Sequence, residues 1–198
     1  GKPTAHVAFG EATALLAGDA LQSLAFQILA EHPLADEPRA QLEMVRTLAA
    51  AAGSRGMAGG QQIDLESTGT ALGVPALEFM HIHKTGALIR AAVILGSSCG
   101  SLGEAEKAKL DRYAKAVGLA FQVVDDILDY DASTATLGKT AGKDARQGKP
   151  TYVSAMGIAR AREMADSLRP QAVGTLEGLG AGAARLAALA DFIVLRKF

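Results

Sequence analysis

The sequence predicts an all-α protein, and three observations carry that expectation. Of its 198 residues 49% are hydrophobic but only 5% are aromatic, so the apolar content is largely Ala and Leu and suits helices packed through small side chains. Apolar residues recur at three- and four-residue spacing along most of the chain, the period of an amphipathic helix. No stretch alternates apolar and polar residues with the period of two that a half-buried strand requires. The length allows one sizeable core without demanding a second, so residues 1–198 read as a single domain with no internal repeat or linker.

From Thr4 to about Ala30, Val7, Leu15, Leu16, Leu21, Leu24 and Ile28 mark one long helix that ends at His32-Pro33, with Gly10 and Gly18 as expected close-packing points. After a loop to Pro38, a second helix starts near Arg39 and carries Leu42, Val45, Leu48 and a run of alanines. The glycines between Gly53 and Gly60 each cost nearly 1 kcal/mol of helix propensity relative to Ala; close approach of a neighbouring element is the reading preferred over a phosphate loop. Helix resumes over Gln61–Ser67, and Thr68–Val74 is a turn. Pro75, at home in a first helical turn, opens a continuous helix to about Ser97. Ser101-Leu102-Gly103-Glu104 reads as a capping box for a helix from Glu104 to about Tyr130, roughly 40 Å at 1.5 Å per residue. A polar loop from Asp131 to Lys149 precedes two last helices, about Thr151–Leu168 and Thr175–Lys197.

Basic and acidic residues number 20 and 21, for a formal net charge of -1. Charge so balanced and interspersed makes no basic field for nucleic acid. Cys99, the single cysteine, excludes an intrachain disulfide, suits a reducing compartment and is expected as a small core residue. No charge-free run reaches the 18 residues of a membrane span, and neither a signal peptide nor a transit pattern opens the chain, so the cytoplasm is the expected location. The start, Gly1-Lys2-Pro3-Thr4, reads as a loop entering a helix, with further sequence expected upstream.

The chemistry concentrates in Phe121-Gln122-Val123-Val124-Asp125-Asp126-Ile127-Leu128-Asp129. At about 100° per helical residue, Asp125 and Asp129 share a face with Gln122 and Asp126 flanks it. Neighbouring acids repel unless a cation joins them, and acids near a helix C-terminus oppose the macrodipole. Mg²⁺ suits such a place, because it takes one or two protein carboxylates and completes its shell with water and phosphate oxygens. Lys139, Lys143 and Lys149 follow and supply charge for a diphosphate. Lys84-Thr85 adds an ammonium and a hydroxyl that can both address phosphate oxygens, although in isolation such a pair is ordinary helix surface.

Competing motifs fail on position. A calcium loop from Asp129 would need Gly where Thr134 stands and Glu where Thr140 stands. Gly138-Lys139-Thr140 ends like a nucleotide-binding loop, but Ser133 replaces the earlier Gly and no strand precedes it. Gly178, Gly180 and Ala183 imitate a dinucleotide fingerprint between helices, where a flexible turn is the better reading. His81 and His83 lie about 200° apart on a helix and cannot chelate one metal from one face. Cys99 and Ser97-Ser98 have no partner that would make a nucleophile.

Five ordered motifs resemble those of trans-isoprenyl diphosphate synthases of the polyprenyl synthetase family: Gly1-Lys2-Pro3-Thr4, Gly56 through Leu65, His83-Lys84-Thr85-Gly86-Ala87-Leu88, Phe121 through Asp129, and Gly138-Lys139-Thr140 through Gly148-Lys149-Pro150-Thr151-Tyr152. The resemblance runs the whole chain in order and is nearest to bacterial farnesyl diphosphate synthases. It implies an all-helical isoprenoid synthase fold around a central cavity, usually as a homodimer. The implied reaction is a prenyl transfer in which an allylic diphosphate condenses head to tail with isopentenyl diphosphate, Mg²⁺ (or Mn²⁺) assisting ionisation and pyrophosphate taking the last proton.

By the same resemblance Asp125 and Asp129 bind metal, with Asp126 supporting them. Lys84, Lys139 and Lys149 hold the diphosphate. Thr85 and Gln122 stabilise the carbocation or hydrogen-bond the leaving group, and Arg196 approaches isopentenyl diphosphate. The family's first aspartate-rich motif and its Arg pair do not occur in this sequence, so residues 1–198 are expected to be the C-terminal portion of a synthase domain and inactive alone. A geranylgeranyl diphosphate synthase, a class I terpene cyclase and a non-catalytic partner subunit are the alternatives. The intact acids and lysines weigh against the last, and a cyclase would carry an Asn/Ser/Glu-type motif in place of Asp125–Asp129.

Overall fold

The structure, a computed structural model, describes residues 2–135 and 148–196. All regular elements among the described residues are helical. The chain divides into two compact units, Gly1–Leu48 and Ala49–Phe198.

In the first unit the predicted single helix is two. Helix α1 spans Ala5–Phe9 and α2 spans Glu11–Glu31, broken at Gly10, whose φ of 88° a helix cannot accommodate. Among the described residues no atom lies within 4 Å of a Cβ added at Gly10 or Gly18, so neither packs against them; Gly10 joins the two helices in a conformation that glycine enters without strain. Helix α2 is long and apolar enough to cross a membrane by length and composition, which a search for charge-free runs overlooks because Asp19 interrupts the stretch. The turn after α2 is tied by Gln41, whose amide donates to the carbonyls of Leu29 at 2.9 Å and His32 at 2.6 Å while its oxygen accepts from the Leu34 N–H. Helix α3, Pro38–Ala52, runs across the boundary.

The second unit is built on a long helix, α7, Glu104–Ala135. Around it lie α4 (Met57–Glu66), α5 (Val74–His81), a π-helical turn (Ile82–Gly86), α6 (Ala87–Ser98), α8 (Tyr152–Met156), α9 (Ile158–Thr175), a 3₁₀ turn (Ala181–Ala183) and α10 (Ala184–Leu195). Helices α5, α6, α8, α9 and α10 and the π turn all contact α7. Its buried residues Leu110, Tyr113, Val117, Ala120, Val123, Val124 and Ile127 follow the three- and four-residue period, which leaves Gln122 and Asp125 on another face. Tyr113 is fully buried and donates its hydroxyl to the Leu186 carbonyl at 2.6 Å; burial raises its pKa to about 12.

The start of α7 differs from the predicted capping box. The helix begins at Glu104, and it is Glu106 that reaches back, accepting from the Gly103 N–H at 2.8 Å. A true capping box stands elsewhere: Thr151 and Ser154 exchange hydrogen bonds at the start of α8. The helix expected over Thr151–Leu168 breaks at Gly157, φ 86°, and its second part continues through Pro170 to Thr175. Pro170 deletes a ladder bond, and the buried stripe Ala161, Ala165, Leu168 and Ala172 carries the helix past it. Cys99 is exposed rather than in the core.

Candidate active site

Four segments of the second unit meet at the C-terminal half of α7. Helix α4 brings Asp64, the π turn brings Lys84 and Thr85, α7 brings Gln122, Asp125 and Asp126, and the strand-like approach to α8 brings Lys149. Together with His81, Phe121, Pro150 and Thr151 they line one cleft of about 300 Å³. Residues predicted from separate motifs thus converge on one place. Asp129 and Arg196 lie outside that lining, and Arg196 borders a neighbouring cleft with Asp131 and Arg162. Lys139 and Lys143 fall outside the described residues.

The π turn interrupts what reads in sequence as plain helix. One wide turn inserts an extra residue into the ladder and re-aims the side chains that follow, an arrangement frequent at functional sites. Gly60 permits its close approach to α4: a Cβ there would lie 2.1 Å from the Lys84 backbone nitrogen, so α4 touches the turn directly. The expectation of close packing in the Gly53–Gly60 stretch is met at that contact.

Hydrogen bonds then orient the polar groups. Thr85 Oγ1 donates to Gln122 Oε1 at 3.2 Å, and Gln122 Nε2 donates to Asp126 Oδ1 at 3.1 Å. The second Asp126 oxygen accepts from the backbone N–H of Tyr152 at 2.7 Å. Asp126 is 4% exposed, so the middle acid is turned into the protein, where it joins α7 to α8. Its neighbour differs: the Asp125 side chain is 57% exposed and pairs with Arg196 at 3.2 Å. Arg196 also donates to the Phe121 carbonyl at 3.3 Å, and its guanidinium lies 4.2 Å from the Phe121 ring centroid.

Asp64, which sequence reasoning left without a role, is 3% exposed. Its Oδ2 accepts from Lys84 Nζ at 2.8 Å and lies 3.7 Å from Lys149 Nζ. Burial pushes the Asp64 carboxyl upward, but the Lys84 hydrogen bond and the charges of Lys84 and Lys149 outweigh it and hold the group below the usual carboxylate range. His81 is 5% exposed, stacks on Tyr152 with ring centroids 5.5 Å apart, and has no hydrogen-bond partner at either nitrogen. Burial first, and Lys84 second, lower its pKa to about 4.

The donor set is compatible with magnesium on a specific ground. Among the described residues no three metal-ligating side chains stand close enough to form a cage. Asp125 and Asp129 nevertheless sit one helical turn apart, about 6 Å along the axis, one exposed and one half-buried. A cation that needs only one or two carboxylates and otherwise takes water and phosphate fits there; one that requires a full protein shell does not.

The polyprenyl synthetase family model matches residues 1–174. The chain is 49% identical to farnesyl diphosphate synthase of Escherichia coli over 99% of its own length and 67% of the relative's. It is 48% identical to geranylgeranyl pyrophosphate synthase 11 of Arabidopsis thaliana, covering 99% of the chain and 56% of that protein. Among solved structures, an FPP/GFPP synthase from Zymomonas mobilis superposes with a TM-score of 0.79 at 37% identity, over 98% of this chain and 65% of that one. A Helicobacter pylori geranyltransferase complexed with magnesium and isoprenyl diphosphate gives 0.75 at 33% identity, over 98% and 63%. The chain therefore spans between a little over half and two thirds of the length of these relatives.

Proposed function

The chain belongs to the polyprenyl synthetase family, and from that premise we propose that the whole protein is a prenyltransferase. It condenses an allylic diphosphate with isopentenyl diphosphate head to tail and releases pyrophosphate. The observation that carries the reading is the convergence of Lys84, Thr85, Gln122, Asp125 and Lys149 on one cleft. Ammonium groups, a hydroxyl, an amide and a carboxylate suit a metal-bearing diphosphate, and no nucleophile is needed when the leaving group departs by ionisation.

Each residue has a definable task. Lys84 and Lys149 bind the diphosphate oxygens and stabilise the charge that develops as the C–O bond breaks, the kind of preorganised electrostatics that dominates such steps. Lys139, outside the described residues, is assigned the same task on the family resemblance alone. Asp125 and Asp129 would hold Mg²⁺, with Mn²⁺ as a substitute; when bound, the metal draws charge from the diphosphate and helps it leave. Thr85 and Gln122, locked to each other, place hydroxyl and amide dipoles where an allylic cation forms. Asp126 fixes Gln122 and the start of α8, a supporting role rather than a ligand's. Arg196 holds Asp125 and approaches isopentenyl diphosphate from the C-terminal side.

The product we assign is farnesyl diphosphate, on the likeness to the E. coli enzyme. Geranylgeranyl diphosphate is the second reading, favoured by the nearly equal likeness to the Arabidopsis synthase. Residues 1–198 are one portion of a single synthase domain in this account and need the rest of it for turnover. The exposed Leu15, Leu16 and Leu21 of α2 supply apolar surface that a second copy would cover in a homodimer, and Asp19 within the same helix favours protein and the cytoplasm over lipid. Chromatography of products formed by the whole protein from an allylic diphosphate, labelled isopentenyl diphosphate and Mg²⁺ tests the assignment: a C15 product supports it, and a cyclic hydrocarbon or no elongation overturns it.

A further inference from the structure

We propose that Asp64 is a positioning residue for diphosphate, its buried Oδ2 gathering the ammonium groups of Lys84 and Lys149 from two separate elements into one anion-binding pair. The proposal rests on the reading of those lysines as diphosphate ligands. Two like charges on flexible stems do not stay together unaided. The Lys84 and Lys149 side chains are 25% and 30% exposed, so each has water within reach and could turn away from the other. One nearly inaccessible carboxylate oxygen, at 2.8 Å and 3.7 Å, draws both inward, because each ammonium that turned out would give up its share of the compensation of a buried charge.

The arrangement is also indexed by backbone. Gly60 lies one turn before Asp64 on α4, at the point where α4 meets the Lys84 backbone. Main chain and side chain of Lys84 are therefore both referenced to α4. Asp64 cancels one of the two positive charges and leaves the pair with a net attraction for an anion. A carboxylate already occupied by two ammonium groups is poorly placed to act as a metal ligand itself, which separates its role from that of Asp125.

The test is a double-mutant cycle in the whole protein, read by calorimetric binding of inorganic pyrophosphate with Mg²⁺. Asp64→Asn keeps the shape and removes the charge; it is expected to weaken binding about tenfold, the low end for residues that orient a ligand through another group. In a Lys84→Met background the same change is expected to cost less than about threefold, because its main intermediary is gone. Asp64→Ser, smaller and neutral, runs the same cycle in case the amide perturbs folding, and circular dichroism reports folding of every variant. Equal losses in both backgrounds, or no loss in the single variant, overturn the positioning role while leaving the diphosphate site standing. Absence of pyrophosphate binding by the unaltered protein overturns the site and the inference together.

Discussion

The backbone N–H of Tyr152 donates to Oδ2 of Asp126 at 2.7 Å, and through that bond the middle acid of the aspartate stretch anchors the first turn of α8 to α7. Asp126→Ala is expected to remove the acceptor for both Tyr152 and Gln122 and to destabilise the protein by about 3 kcal/mol, as for loss of a buried charged acceptor. Urea denaturation measures it. A change below about 0.5 kcal/mol, the scale of an ordinary surface substitution, would contradict the anchoring role.

Asp125→Ala should behave oppositely. Its carboxylate is 57% exposed, and although the Arg196 side chain it pairs with is only 12% exposed, that guanidinium keeps the Phe121 carbonyl and ring when Asp125 is removed, so the loss is expected to stay near about 1 kcal/mol. Stability should change little, while Mg²⁺-dependent turnover of the whole protein should fall at least about a hundredfold, the usual scale for a lost electrostatic group at the reacting centre. Comparing melting temperature with kcat separates the two neighbouring acids.

Gly60→Ala tests the contact between α4 and the π turn. The new methyl would meet the Lys84 nitrogen at 2.1 Å and its Cα at 2.5 Å, and backbone cannot rotate away as a side chain can. A loss of about 3 kcal/mol is expected, the upper end for overpacking, together with weaker pyrophosphate binding. An equally stable, equally binding variant would mean that the approach of α4 to the turn is dispensable.

Acid sensitivity follows from His81. Its folded pKa, lowered to about 4 by burial and then by Lys84, lies below the ordinary value near 6.5. Above pH 6.5 the ring is neutral folded or unfolded and contributes no pH dependence. As pH falls from about 6.5 to about 4 the unfolded state binds the proton first, so stability declines, by on the order of 3 kcal/mol in total. His81→Phe keeps a ring against Tyr152 and removes two unpartnered nitrogens. It should be neutral or stabilising at pH 7 and should flatten the stability profile between pH 6.5 and 4; an unchanged slope would place the acid sensitivity elsewhere.

What could be read from residues alone divides along physical lines. Helices were legible because their burial repeats locally: the stripe of α7 from Leu110 to Ile127 is visible in the letters. Breaks were less so, since Gly10 and Gly157 look like other glycines until their positive φ is known, and Pro170 reads as a stop until Leu168 and Ala172 are seen to be buried on either side of it. The site was read as a list, Lys84, Thr85, Gln122, Asp125, Asp126, Asp129, Lys139, Lys149 and Arg196, and not as a geometry; the cleft gathers Lys84, Thr85, Gln122, Asp125, Asp126 and Lys149 and leaves Asp129 and Arg196 outside its lining. The helical period already set Asp126 on a flanking face, but it is the fold that turns Asp126 inward and leaves Asp125 outward. Asp64, quoted within the Gly56–Leu65 motif, received no role because nothing next to it in sequence pairs with it; its partners stand 20 residues away in Lys84 and further still in Lys149. The wide turn at Ile82–Gly86 left no mark either, because its residues continue the helical apolar period and its contact with α4 is distant in sequence.

The central claim is that these residues serve prenyl transfer from a diphosphate. The most direct measurement supplies the whole protein with geranyl diphosphate, labelled isopentenyl diphosphate and Mg²⁺, beside its Asp125→Ala variant, and chromatographs the products. Label is expected in a C15 diphosphate with the unaltered protein and almost none with the variant. Undiminished product from Asp125→Ala, or no elongated product from the unaltered protein, would contradict it.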